Sequence, residues 1–220
     1  MAVKAVLVLI LAVVATSVAQ KKCCFPDQFE TLDGQVVGTL SQGSFVAIIE
    51  SVQLAFDYMN QRAGQIALIQ DGSMVYEYHI IVDYSKQVEY IINTQIKTCQ
   101  MLPLPAGTNM SHCIPDDADY VSTYYLGDYL MMADSFSYAV KEGALEGTAI
   151  FSVSKGDCIP TSVTFMGAQQ GTPVLEVAGF VNYTYGIQNP AKYFTIPDYC
   201  SQQASSPEPR QYNSFIHRFF

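Results

Sequence analysis

Two runs of strict alternation on either side of a short polar turn constrain this chain most. From Met74, the residues Met74, Tyr76, Tyr78, Ile80, Val82 and Tyr84 share one parity, against Glu77, His79, Asp83 and Ser85. After Ser85-Lys86 the pattern resumes, with Val88, Tyr90, Ile92, Thr94 and Ile96 against Gln87, Glu89, Asn93, Gln95 and Lys97. A repeat of two belongs to an extended strand whose side chains point to opposite faces in turn; a helical stripe repeats every 3.6 residues. The pair predicts a long antiparallel hairpin with one apolar, aromatic face and one face toward water. On that reading His79 is a solvated surface histidine.

Other segments follow the same rule. Residues 45–58, FVAIIESVQLAFDY, can be read as a strand broken by Glu50 or as a helical stripe, and the β-branched content favours the strand. Met59 to Arg62 then turns into 65–70. GTAIFSVS (147–154), TSVTFMG (161–167) and TPVLEVAGFVNYTYG (172–186) read as strands. In the last, Leu175, Val177 and Val181 share one face, while Glu176, Asn182 and Thr184 fall on the other and are read as facing solvent. Residues 103–119, rich in Pro and Asp, read as a loop, and 190–194 as a short helix. The tail 201–220 is polar and Pro-bearing, and is expected to be poorly ordered.

The N-terminus points to the compartment. Lys4 is followed by an uninterrupted apolar run, Ala5–Ala15, and then by the small residues of Ser17-Val18-Ala19. This is the layout of a signal peptide, 1–19, and the run is short for a membrane span of about 20 residues. Secretion is expected, with no transmembrane anchor in the remainder. All six cysteines (23, 24, 99, 113, 158, 200) follow this segment, in an environment that permits disulfides. Cys23 and Cys24 are adjacent. Successive Cα atoms lie about 3.8 Å apart, whereas a relaxed disulfide wants roughly 4.4–6.8 Å. Each is therefore expected to reach a separate distant partner. Spacing alone leaves about fifteen pairings open.

Residues 20–200 suit a single domain. Without Lys4 the chain carries 10 basic and 20 acidic residues, a charge that argues against binding nucleic acid. Asn109-Met110-Ser111 and Asn182-Tyr183-Thr184 are glycosylation sequons. No nucleophile elbow, zincin helix, Walker loop or dinucleotide fingerprint occurs, and His112 and His217 sit in a loop and the tail. Nothing points to an enzyme. Asp116, Asp117 and Asp119 could offer oxygen ligands to Ca²⁺, although the loop lacks the glycine and terminal glutamate of an EF-hand.

Five stretches carry a family resemblance. In order they are CCFPDQFE (23–30), FDYMNQR (56–62), VEYIINTQIKTCQMLPL (88–104), GDCIPTSVTF (156–165) and GIQNPAKYFTIPDYC (186–200). Together they resemble the ependymin and ependymin-related proteins over residues 23–200. The resemblance implies a mainly β fold similar to bacterial lipoprotein carriers. In it, two curved antiparallel sheets form a half-open barrel around an apolar pocket. It implies a secreted or lysosomal glycoprotein, often a homodimer, that binds Ca²⁺, extracellular matrix and lipid or another hydrophobic ligand. It also implies pairing of Cys23 with Cys158 and of Cys99 with Cys200, which leaves Cys24 for Cys113; exchange of Cys23 and Cys24 stays open. No catalytic residue comes with it.

Two functions follow as expectations. One is a carrier whose pocket is lined by Tyr76, Tyr78, Ile80, Val82, Val88, Tyr90, Ile92, Leu175, Val177 and Val181 and takes a lipid or fatty acid. The other is a structural or adhesive matrix protein acting through Ca²⁺ and glycans. The same alternation would also build a plain sheet-on-sheet core.

Overall fold

A computed structural model describes residues 22–41, 43–142 and 145–201. The segment read as a signal peptide and the tail from 202 onward lie outside the described residues. Among the described residues there are eleven strands: β1 (Gln28–Ser41), β2 (Ser44–Asp57), β3 (Arg62–Asp71), β4 (Met74–Asp83), β5 (Val88–Asn93), β6 (Thr98–Pro103), β7 (Asp119–Leu126), β8 (Met131–Glu142), β9 (Leu145–Ser154), β10 (Pro160–Gln169) and β11 (Thr172–Tyr185). A five-residue helix, α1 (Pro190–Phe194), follows, capped by Asn189, whose side chain accepts from the Lys192 amide.

All the strands join one antiparallel sheet, in the order β6-β5-β4-β3-β2-β1-β11-β10-β9-β8-β7. Sequence neighbours pair as hairpins, and the first strand closes against the last. The resemblance implied two sheets. Here β1 hydrogen-bonds to β2 on one side and to β11 on the other, so the two halves are wings of a single sheet. Its ends, β6 and β7, do not meet, and no barrel closes.

The wings fold toward each other. Phe56 on β2 and Phe151 on β9 stand four strands apart, about 19 Å across a flat sheet. Yet the ring of Phe25 lies 6.4 Å from Phe56 and 5.3 Å from Phe151. Only a strongly curved sheet allows one phenylalanine to touch both. The inner row at this end is aromatic: Phe29, Phe56, Phe136, Phe151 and Phe165 are almost wholly buried. Each such burial contributes about 1.5–3 kcal/mol. The segment 110–118 covers this end through Met110, Ile114 and Ala118.

The outer face of β3–β6 is covered differently. Here α1 and the residues after it form a strap over Ile81, Ile92 and Cys99. The approach is close: a Cβ on Gly64 would lie 2.7 Å from the Tyr193 carbonyl oxygen. His79 lies beneath the strap, 9% exposed, with Nε2 2.7 Å from that same oxygen. It is not the solvated histidine its parity suggested, because the wet side of this hairpin is roofed by a segment more than a hundred residues away. Burial pulls its pKa below the usual imidazole value, partly offset by the Tyr193 hydrogen bond.

Candidate functional site

The inner rows of β1 and β11 begin as core and become polar. Along β1 the inward residues are Phe29, Thr31, Asp33, Gln35 and Val37, all buried. Pairing sets Asp33 opposite Val52 and Phe180, and Gln35 opposite Glu50 and Ala178. One step further, Val37 faces Glu176. Three carboxyl groups therefore stand on three adjacent strands of one concave face, with Asp33 1%, Glu50 5% and Glu176 0% exposed. Gln35 Nε2 donates to Glu50 Oε2. Oδ1 of Asp33 is buried with no hydrogen-bond partner. Burial, and then the charges of Glu50 and Glu176, push the Asp33 carboxyl up to about 8.

Apolar surface lies on both sides of this polar floor. On the N-terminal wing Val52, Ala67 and Ile69 form a cluster of their own, with Ile48, Tyr76 and Tyr78 packed on it. On the other wing Val163, Phe165, Ala178 and Phe180 belong to the main core. The face thus carries two separate apolar clusters, with buried carboxyl groups on the strands β2, β1 and β11 that run between them.

Of the residues read as pocket-lining, Tyr76, Tyr78, Ile80 and Val82 are on this inner face. Val88, Tyr90 and Ile92 are not. Asp83 pairs with Val88 and His79 with Ile92, so the parity changes across the four-residue connection 84–87. A one-residue change of register moves a whole row to the opposite face. Tyr90 and Ile92 accordingly pack under the C-terminal strap.

Leu175, Val177 and Val181 also face outward, at 45%, 46% and 54% exposure, while Glu176 is the inward residue. The amphipathic rule is inverted on β11 because its outer row belongs to an exposed apolar patch. Val177 pairs with Val36, Val36 with Ile49, and Leu175 with Met166, all exposed. The Phe45 ring lies over Gly38, where a Cβ would come within 2.8 Å of it. At the far end of β11 the register shifts by one residue opposite Thr31, and Asn182 takes φ 52°. This bulge leaves the Asn182 side chain exposed; Asn109 is exposed too. Beside the bulge a cleft of about 350 Å³ is lined by polar groups including Glu30, Gln53, Asn182 and Lys192.

Sequence comparison adds the lineage. A family model described as Ependymin matches residues 73–200. The chain belongs to the ependymin family. It is 29% identical over 164 residues to the development-specific protein LVN1.2 of Lytechinus variegatus, covering 68% of this chain and 85% of that one. It is 26% identical over 192 residues to ependymin-related protein 1 of Haliotis asinina, covering 84% and 94%. Among solved structures, an uncharacterized conserved protein of Thermus thermophilus aligns with a TM-score of 0.45 at 10% identity, over 76% of this chain and 86% of that one.

In this ependymin-family chain Cys23 is bonded to Cys158, Cys24 to Cys113 and Cys99 to Cys200. The doublet sits on an extended stretch whose successive side chains point to opposite sides. The Phe25 amide donates to the His112 carbonyl and the Ile114 amide to that of Cys23, so this stretch pairs with the segment it is bonded to. Asp116 and Asp117 are exposed on the same segment, and Asp119 is exposed at the start of β7. They do not converge: among the described residues the only three metal-ligand types that come together are Cys24, His112 and Cys113, whose sulfurs are bonded to each other. Placed this way, the three aspartates do not fit Ca²⁺, which takes six to eight oxygens at about 2.3–2.6 Å.

Proposed function

We propose that this ependymin-family protein is an extracellular carrier of a hydrophobic ligand, held on the concave face of its sheet. One observation supports this above the others: the inner face divides into two apolar clusters with a polar row between them, where a plain core would be apolar throughout. A core gains nothing from buried carboxyl groups, and each must be offset. A binding face uses them to orient a ligand. Three disulfides fit an oxidising destination.

The test is native mass spectrometry of protein secreted from eukaryotic cells, with organic extraction of the released mass. The expected result is a co-purifying amphiphile, or uptake of a fluorescent long-chain probe by the extracted protein. Protein that carries nothing and takes up no probe would end the carrier reading.

The outer patch supports a homodimer. From Leu32 to Leu40 on β1, Phe45 to Gln53 on β2, Pro173 to Val181 on β11 and Ser162 to Ala168 on β10, the outward row holds no charged residue. A broad neutral apolar patch is self-complementary, which is what a two-fold contact requires.

A further inference from the structure

The sequon Asn182-Tyr183-Thr184 and the polar cleft beside it belong together. The inward row of β11 is even-numbered, with Glu176 0%, Ala178 2% and Phe180 8% exposed. Continued without a break, that row would carry Asn182 and Thr184 onto the concave face. The bulge opposite Thr31 reverses it, with Asn182 at φ 52°. Tyr183 then packs inward, its ring stacked on Phe29, while Asn182 and Thr184 are exposed. Bulges re-aim side chains, and this one brings the whole sequon to the outer face. There both Asn182 and Thr184 line the cleft of about 350 Å³.

The far side of the cleft is the C-terminal strap, through Gln188 and Lys192, and its floor includes Glu30 of β1 and Gln53 of β2. Glu30 Oε1 accepts from the Gln188 and Asn189 amides, and Lys192 Nζ donates to Gln53 Oε1. Strong donors and strong acceptors thus alternate around one small space. A sugar ring suits such walls, because each hydroxyl both donates and accepts. We infer that this cleft seats the glycan on Asn182: its first N-acetylglucosamine lies between β11 and α1 and ties the strap to the sheet. Attachment joins Asn182 Nδ2 to the anomeric carbon of the sugar, as the lipid pyrophosphate of the glycosyl donor leaves and the amide gives up one proton. The covalent tether holds the sugar at a high effective concentration, so individually weak contacts suffice to seat it. The seat is independent of what the concave face carries.

Hydrogen exchange of the full chain secreted from eukaryotic cells tests it, after peptide mass mapping has measured the occupancy of Asn182 and Asn109. An endoglycosidase that cuts between the first two sugars leaves a single N-acetylglucosamine at each site. Residues 188–194 should exchange within about twofold of the same rate in trimmed and untrimmed protein, since the first sugar does the tying. In Thr184→Ala they should exchange about fivefold or more faster. That variant loses the sugar but keeps Asn182, a residue type that tolerates the left-handed conformation. Asn109→Gln should leave the strap unchanged. Exchange as slow in Thr184→Ala as in the wild type overturns the seat, and so does an Asn182 that carries no sugar. Loss of protection on trimming moves the contact to the outer sugars and out of the cleft, which also overturns it. Equal loss in Asn109→Gln shows a general effect of glycans and overturns it too. If Thr184→Ala fails to fold, wild-type protein stripped of all its sugars by enzyme supplies the same comparison.

Discussion

Asp33 sits between Glu50 and Glu176 in a region where water cannot screen it, and it retains its proton to about pH 8 instead of losing it near 3.8. Its folded pKa lies above the unfolded one, so its contribution to stability is whole at pH below about 3.8. It declines as the unfolded chain ionises, until the folded pKa is passed. The upper bound on that loss is about 5–6 kcal/mol, from 1.36 kcal/mol per unit. Asp33→Asn removes the titration. It should raise the melting temperature measurably at pH 8 and change it little at pH 4. A variant equally destabilised at both pH values would show that the carboxyl is held by a hydrogen bond and not merely trapped. Neither this residue nor its companions were legible in the sequence. Glu50 reads as a flaw in an apolar strand, and Glu176 as the wet side of one. Both readings assume that polar residues seek water, an assumption that fails on this concave face, where Glu50 is 5% and Glu176 0% exposed.

At the scale of elements, alternation made β2, β4, β5 and β9 to β11 readable, because half-buried strands repeat every two residues. It failed on β1. There the inward row carries Thr31, Asp33 and Gln35 while Val36 and Leu40 face out, so the apolar signal is cancelled. It also misplaced β5, because parity read straight through a turn takes no account of the turn's length. The C-terminal strap was visible only as a short helix, since what it covers is fixed by tertiary structure. Its docking can be tested directly. Gly64→Ala would press a methyl to within 2.7 Å of the Tyr193 oxygen and 2.9 Å of its Cβ. Overpacking of this kind costs about 1–3 kcal/mol. Replacing Cys99 and Cys200 by serine frees a loop of 101 residues, for which loop closure gives a cost of roughly 4–5 kcal/mol. Both changes should speed hydrogen exchange in β4 to β6, beneath the strap, and leave β9 to β11 protected. Uniform loss of protection would mean that the strap and the sheet unfold as one unit.

For the whole molecule, the two faces of the sheet differ in kind. The concave face turns polar groups inward, and the convex face turns Ile49, Val177 and Phe45 outward. This reversal, costly in a monomer, is reasonable if the convex face is covered by a second copy. A two-fold axis through the middle strands would bring each outward row against its own image. A lysine introduced there would meet its symmetry mate, and burial of like charges at a contact costs several kcal/mol. Val177→Lys and Ile49→Lys should therefore shift the protein from dimer to monomer in sedimentation velocity at micromolar concentration. Binding of a long-chain probe should be unchanged, because both side chains point away from the inner face. A wild-type chain that sediments as a monomer at tens of micromolar would remove the dimer. A lysine variant that also loses the probe would show that the two faces are coupled through the sheet.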